Sequence, residues 1–282
     1  MSEAGRAPVT GHYRHANANY KQFLMVDIKD FDSIPDLQNP RRVMKYLLVY
    51  CKTGSVSMTV DEKDFSLHSG QIITVTSGQI HRFKEASSAE GFILEFTLDY
   101  FGKDDNDIEL IFHNGLFCHF AMNEVITVDS NVVGQELRLI QAELSEQPYQ
   151  YLISVHARIK LILVSINRAK VDRGDEIWKP NALFLKFLEA VRDNFEHNYP
   201  VSKFAQMLGT TEMKLNELSK IHAGKTAQNV IYGLITSEAK RLLIYEDLSV
   251  KEVAYKLGFN DPFYFSNFFK KQTGTSPSQY PI

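Results

Sequence analysis

Residues Ser249–Tyr280 read SVKEVAYKLGFNDPFYFSNFFKKQTGTSPSQY, and this stretch decides how the rest of the chain is read. Ser249 and Glu252 have the spacing of a capping box, in which each side chain satisfies an orphan backbone N–H at a helix start. The helix that follows runs to Leu257, with Val250, Val253, Ala254 and Leu257 on one apolar face. Gly258 supplies the positive φ of a tight turn, Asp261 caps a second helix, and Pro262 takes its first position, where no N–H is needed. Ala254, four residues before Gly258, is small enough for the two helices to cross closely, as a helix-turn-helix requires.

The second helix carries two stripes. Phe265, Phe268 and Phe269 at i, i+3, i+4 are expected to be core, while Phe263, Ser266, Asn267 and Lys270 share another face. That second face combines an aromatic, a hydroxyl, an amide and a cation, a set able to touch base edges and phosphates in a major groove. The bland alternative is a solvated helix face.

The same pattern occurs earlier in the chain. Val201-Ser-Lys-Phe-Ala205-Gln-Met-Leu-Gly209 aligns with Val250-Lys-Glu-Val-Ala254-Tyr-Lys-Leu-Gly258 at an offset of 49. Beyond the turn, Leu215, Asn216, Leu218, Lys220 and Gly224 align with Phe265, Ser266, Phe268, Lys270 and Gly274 at an offset of 50. Two copies are too few for a solenoid. Two helix-turn-helix units joined by a helix is the simpler reading.

From about Asn181 to Tyr280 the chain resembles the paired helix-turn-helix domain of the AraC/XylS family of bacterial transcription regulators. The block LLIYEDLSVKEVAYKLGFNDPFYFSNFFKKQTGTSPSQY carries the resemblance, and FAQMLGTTEMKLNELSKIHAGKTAQNVI carries it less strongly. The first unit departs from the pattern at Leu218-Ser219-Lys220, where Phe-Lys is commoner, and Tyr280 is followed by Pro281 rather than a basic residue. The resemblance implies a sequence-specific DNA-binding regulator, often with a small cupin-like barrel ahead of the DNA-binding domain.

Helical periods place a first helix at Ala182–Phe195, packed through Phe184, Leu188, Val191 and Phe195, and a long connecting helix at Ala227–Tyr245. The connector's expected role is to hold both recognition helices rigidly, about 34 Å apart, for successive major grooves. The first recognition helix, about Glu212–Ile221, offers Met213, Asn216, Glu217 and Lys220 at the spacing of its counterpart. Base-contact candidates are therefore Met213, Asn216, Glu217, Phe263, Ser266 and Asn267. Asparagine suits adenine, Glu217 accepts from cytosine N4, and Met213 or Phe263 meets a thymine methyl. Phosphate candidates are Lys214, Lys220, Lys225, Lys240, Arg241, Lys270 and Lys271, helped by helix N-termini.

The chain of 282 residues has a net charge of −3, unusual for a simple DNA binder. Asn181–Ile282 holds 12 Lys/Arg against 10 Asp/Glu, and the remainder 19 against 24. The asymmetry has the right sign but is small, so binding depends on where individual cations sit. A hydrophobic content of 44% is ample for two domains. Two cysteines, Cys51 and Cys118, make no disulfide framework and fit a reducing cytoplasm. Met1–Asn19 is a polar, flexible tail without the apolar core of a signal peptide, and no apolar run approaches the ~18 residues of a membrane span.

Residues 20 to about 128 read as strands: Phe23–Ile28, Val43–Cys51, Ser55–Val60, Gln71–Thr76, Ile80–Lys84 and Gly91–Thr97. Ser69-Gly70, Ser77-Gly78 and Gly54 punctuate them, and the segment Leu67–Phe83 is similar to the family's cupin-like barrel. Metal cupins use converging histidines, typically two one residue apart; here His81 precedes Arg82 and Phe83, while His68, His113 and His119 lie elsewhere. No metal, cofactor or catalytic residue is expected. A barrel mouth can still hold a small effector, and Tyr46, Tyr50, His81, Arg82 and Glu95 are the candidate contacts, with a filled hydrophobic core as the competing reading. Two helices follow, Val132–Leu144 and Tyr151–Lys170. The second is apolar over a wide surface (Ile153, Ala157, Leu161, Val164), as a homodimer interface or a barrel cover would require.

The expected organisation is thus α+β and multidomain. A tail (1–19) precedes a cupin-like effector-binding and dimerisation domain with two helices (20–170), a charged linker (171–180) and an all-α DNA-binding domain (181–282). The expected partners are double-stranded DNA, a small-molecule effector, a second copy of the chain and, for an activator, RNA polymerase. Two other classes remain open: a protein-interaction module whose helix-turn-helix units no longer bind DNA, and a cupin-type enzyme.

Overall fold

The structure, a computed structural model, describes residues 23–29, 38–85, 89–112, 116–117, 124–175, 181–246 and 248–280. The expected tail at 1–19, Cys118, His113, His119 and the second half of the linker lie outside these residues. The chain divides into two compact units, one within Gly11–Lys179 and the other at Pro180–Ile282.

The first unit is built on two antiparallel sheets. One has five strands in the order β1 (Phe23–Asp27), β8 (Glu90–Phe96), β3 (Tyr46–Thr53), β6 (Gln71–Val75) and β9 (Val125–Thr127). The other has four: β2 (Arg41–Arg42), β7 (Ile80–Glu85), β4 (Ser55–Val60) and β5 (Lys63–His68). Between them Leu47, Val49, Cys51, Val56, Met58, Val60, Leu67, Ile73, Val75, Phe83 and Ile93 form one buried core. This is the flattened cupin-like barrel that the family resemblance implied.

Two departures have local causes. The strand expected from Val43 begins only at Tyr46, in the five-stranded sheet, and Arg41–Arg42, ahead of the expected run, forms a short strand of the four-stranded one. Strand β5 was not anticipated because the turn before it has no glycine. Asp61 itself takes φ +50, and its carboxylate accepts the Ile80 N–H and the Gln79 amide at 3.2 and 2.9 Å. As an edge strand, β5 buries little beyond Leu67 and half-buried Phe65, so its apolar alternation is faint.

Register fixes which side chains face the core. Opposite residues in an antiparallel pair share a face. Leu47 pairs Glu95 and Val49 pairs Ile93 on the inner face, whereas Tyr46 pairs Phe96, Leu48 pairs Leu94 and Tyr50 pairs Phe92 on the outer one. That outer face is covered by α1 (Leu98–Phe101), α2 (Asp105–Phe112), α3 (Ser130–Glu146) and α4 (Tyr151–Asp172). Tyr46 lies 5.9 Å from Phe112 and 5.2 Å from Phe117, Phe96 lies 5.4 Å from Phe101, and Tyr50 packs by Gly134 of α3. Each fully buried aromatic here contributes about 1.5–3 kcal/mol. The covering helices are pinned by the buried carboxylate of Asp107, which pairs with His156 at 3.3 Å and with Lys160.

The second unit is helical: α5 (Ala182–Arg192), α6 (Val201–Met207), α7 (Glu212–Ala223), α8 (Ala227–Tyr245), α9 (Val250–Lys256) and α10 (Pro262–Thr273). The α5 helix stops short of Phe195, which is half-buried in a separate 3-10 turn at Phe195–His197. Asn194 ends the helix by donating to the Ala190 carbonyl at 2.8 Å, and Asn198 takes φ +47. The connector α8 touches α5, α6 and α7 as well as α9 and α10. Its buried residues Val230, Ile231, Leu234, Ile235, Ala239 and Leu242 form the shared core of both helix pairs.

Candidate nucleic-acid interface

Each helix pair is set by local chemistry already present in the sequence. At α9 the capping box forms, with Ser249 N–H donating to Glu252 at 2.8 Å and Glu252 N–H donating to Ser249 Oγ at 3.3 Å. At α10 the Asp261 carboxylate accepts the Phe263 N–H at 2.8 Å, and Pro262 occupies the first turn. Thr211 caps α7 through the Lys214 N–H at 3.2 Å. Both turns hold a glycine at positive φ, Gly209 at +61 and Gly258 at +72. Gly258 has a second reason to lack a side chain, since a Cβ there would sit 2.6 Å from the Glu196 carbonyl oxygen. Ala205 and Ala254 are buried where the helices cross, and Leu215, Leu218, Phe265 and Phe269 fill the core beneath them. Phe268, expected in that core, is half-buried against Phe259 and Tyr232 at ring distances of 5.2 Å.

The outward faces of α7 and α10 are where the base-contact candidates lie. Met213 is 80% exposed and Phe263 81%, and these two positions are equivalent in the repeat. Both are large apolar side chains left uncovered on the outward faces of the folded unit. Tyr264, beside Phe263, is 72% exposed and was not among the expected contacts. Asn267, Glu217, Lys220, Lys270 and Lys271 are exposed on the same two helices, and Lys225 is exposed just beyond α7.

Four candidates are occupied otherwise. Asn216 donates to its own helix at the Glu212 carbonyl (3.0 Å), and its Oδ1 accepts the Ala227 N–H at 3.0 Å. It thereby joins α7 to the first residue of α8, and its side chain is engaged within the fold. Ser266, at the equivalent position, donates to the Pro262 carbonyl at 2.8 Å and is half-buried. Arg241 is buried and pairs with buried Glu238 at 3.5 Å, so in the folded chain its guanidinium is part of the core around α8. Lys240 is half-buried, its Nζ 5.2 Å from the Tyr280 ring centre. These departures share one cause: helical spacing assigns a face but not what packs on it.

In the first unit the five effector candidates do not converge. Tyr46 and Tyr50 are on the helix-covered face, outside the sandwich interior, because the sheet buries both of its sides. Arg82 pairs Thr59 on the outer face of the four-stranded sheet and is exposed. His81 and Glu95 do point inward and meet at one end of the sandwich, together with Arg41 and Lys45, which the sequence reading missed. Arg41 donates to Glu95 at 3.1 Å and to His81 Nε2 at 3.2 Å, and Lys45 Nζ is 3.6 Å from Glu95. Burial first, and then the Arg41 guanidinium, push the His81 imidazole down to about 3, so it is neutral near pH 7 and accepts through Nε2. Arg41 and Lys45 carry no motif; only pairing of β2 with β7 brings Arg41 opposite His81. Among the described residues no cluster of three or more His, Cys, Asp or Glu side chains is placed to hold a metal ion. Among the same residues no helix is long and apolar enough to cross a membrane.

Comparison with known proteins agrees with this anatomy. Residues 204–281 match the family model of a helix-turn-helix domain, and residues 37–158 match that of an AraC-like ligand binding domain. An HTH-type transcriptional regulator from the 5′ region of cgkA in Pseudoalteromonas carrageenovora is 26% identical over 45% of this chain and 75% of its own length. The HTH-type transcriptional regulator CdhR of Pseudomonas aeruginosa is 31% identical over 33% of this chain, but the match covers only 29% of that protein. Among solved structures, fatty-acid-bound ToxT from Vibrio cholerae is 14% identical with a TM-score of 0.41, covering 94% of this chain and 96% of that one.

Proposed function

The chain belongs to the AraC-type family of helix-turn-helix transcription regulators, and from that premise we propose that it binds double-stranded DNA sequence-specifically, in the cytoplasm, under control of a small molecule sensed by its N-terminal unit. One observation carries the reading: two copies of one helix pair, each exposing a large apolar residue, a polar group and a lysine at matched positions. These are Met213, Glu217 and Lys220 on α7, and Phe263, Asn267 and Lys270 on α10. The aromatic and the thioether suit thymine methyls, Asn267 has the donor–acceptor pair that adenine offers, and the lysines reach phosphates. No catalytic group is needed for this work. RNA polymerase is a further partner if the protein activates.

A gel shift with duplexes from upstream of its own and neighbouring genes tests the reading. A specific shift, weakened by Asn267→Ala in both affinity and preference, is the expected result. Failure to retard any duplex would favour the protein-interaction role instead.

Two finer features belong to the same proposal. The polar end of the sandwich, where Arg41 and Lys45 hold the buried Glu95 carboxylate, is the place where a polar effector exchanges with an internal partner. A thermal-shift screen of small metabolites, repeated on Glu95→Gln, tests it. The chain is also proposed to form a homodimer through α4. Ile153 is 63% and Leu161 52% exposed, and with Ala157 and Val164 they make a stripe at i, i+4, i+8, i+11 while the opposite face is buried. Sedimentation should give a dimer that Leu161→Asp converts to monomer.

A further inference from the structure

The two recognition helices are not chemically equivalent, and the difference lies in one ion pair. On α7 the Lys214 ammonium donates to both oxygens of Glu217 at 3.1 Å, with both side chains about half exposed. The positions equivalent to these on α10 are Tyr264 and Asn267, which carry no charge. With Asn216 committed to Glu212 and Ala227, Glu217 is the polar group that remains at the centre of the exposed face of α7. A carboxylate is the one common side chain that phosphates repel, so its presence there requires a compensating donor. The major groove offers an acceptor two amino groups, cytosine N4 and adenine N6, and because adenine N6 lies beside the N7 acceptor, which repels a carboxylate, cytosine is the better partner for Glu217.

We infer that the Lys214–Glu217 pair is an exchangeable latch that makes the α7 half-site cytosine-dependent. In the free protein each charge masks the other. On a duplex with cytosine at the facing position, Glu217 turns to the N4 amino group and Lys214 is released to a phosphate. On any other base Glu217 keeps Lys214, and that phosphate contact is lost. Exposed pairs of this kind contribute little to stability, so opening the latch costs little. One base therefore controls two contacts, and α7 selects against wrong sequences while α10, with Lys270 and Lys271 and no acid on its exposed face, supplies attraction to any duplex. This inference rests on the DNA-binding reading above.

The test is selection from a pool of randomised duplexes by the full-length protein and by Glu217→Gln, a near-isosteric change at an exposed position. The wild-type pool should contain one near-invariant cytosine that the Glu217→Gln pool lacks. On a cytosine-bearing duplex, Lys214→Ala should make the plot of log affinity against log salt shallower by about 0.9, the slope of one phosphate contact. On the same duplex with that cytosine replaced, Lys214→Ala should leave the slope unchanged. In the Glu217→Gln background the steeper slope should appear on both duplexes. An unchanged cytosine requirement in Glu217→Gln, or a Lys214→Ala effect of equal size on both duplexes, overturns the latch while leaving DNA binding intact. A wild-type pool with no enriched sequence overturns the DNA-binding reading itself and the latch with it.

Discussion

Replacing Asn216 by alanine separates a structural clamp from a base reader. In the folded chain its Oδ1 is the acceptor for the N–H of Ala227, a residue with no exposed surface at the start of α8. That N–H is one of the four orphan donors of a helix N-terminus, and the Thr226 hydroxyl serves a different one, at Asn229. Truncation leaves the Ala227 donor buried without a partner, which costs about 1–3 kcal/mol. For a unit of about 100 residues each kcal/mol lowers the midpoint by about 4–8 °C. The assay is thermal and urea unfolding of the full chain, followed by far-UV circular dichroism, in which the helical unit dominates the signal. Asn216→Asp is the informative companion. Its carboxylate still accepts from Ala227 and sits favourably at a helix N-terminus, so most of the stability should return. Base preference on a selected duplex should survive Asn216→Ala under conditions where the protein is folded. A variant of wild-type stability with relaxed preference at one base pair would refute the clamp and restore Asn216 as a reader.

Other consequences are as direct. Gly258→Ala combines a left-handed backbone, about 1–2 kcal/mol for a residue with a Cβ, with a contact of 2.6 Å to the Glu196 carbonyl, whereas Gly209→Ala has the same sign of φ (+61) but nothing within 4 Å. Unfolding should show the Gly258 variant clearly less stable than the Gly209 one; equal losses would contradict the close approach. Because the His81 imidazole is held near 3 when folded and titrates at 6.5 when unfolded, the unfolded chain takes up the proton between those values. Stability of the first unit should therefore fall as pH drops from 6.5 towards 3, by up to about 1.4 kcal/mol per pH unit from this group. His81→Gln should flatten that slope in acid-unfolding curves, and parallel curves for the two proteins would exclude it. Lys270→Ala should weaken binding to all duplexes alike and reduce the salt slope by about 0.9, and a changed base preference would deny its phosphate role.

How much was legible beforehand differs between the two units. The helix pairs were readable because their determinants are local: Ser249 with Glu252, Gly258, Asp261 with Pro262, and apolar residues at helical spacing lie within a few residues of one another. The repeat at offsets of 49 and 50 supplied an internal check that no single motif gives. In the first unit six of the nine described strands were legible from their period, the short or edge strands β2, β5 and β9 were not, and neither was the meaning of the faces. Period 2 says that Tyr46 and Tyr50 share a side; it does not say whether that side meets the opposing sheet or a layer of helices. Here both sides of β3 are buried, so the aromatics became the floor of α1 to α4 rather than the lining of a cavity.

Taken by itself, the sequence determined the helices of the second unit, the longer strands of the first, the duplicated helix pair and the exposed positions 213, 217, 263, 267 and 270, since these depend on caps, turns and periods that act within one or two turns of chain, whereas β2, β5, β9, α1 and α2 were not legible. Only the tertiary structure decided which polar side chains remain free for a partner. Asn216 is committed to Ala227, Arg241 to Glu238, and Arg41 and Lys45 to Glu95. Three of those four contacts span eleven to 54 residues, and the Arg241–Glu238 pair, though local, owes its burial to the helices packed over α8. A buried polar group is fixed by whichever partner the fold delivers to it, and that delivery has no signature along the chain.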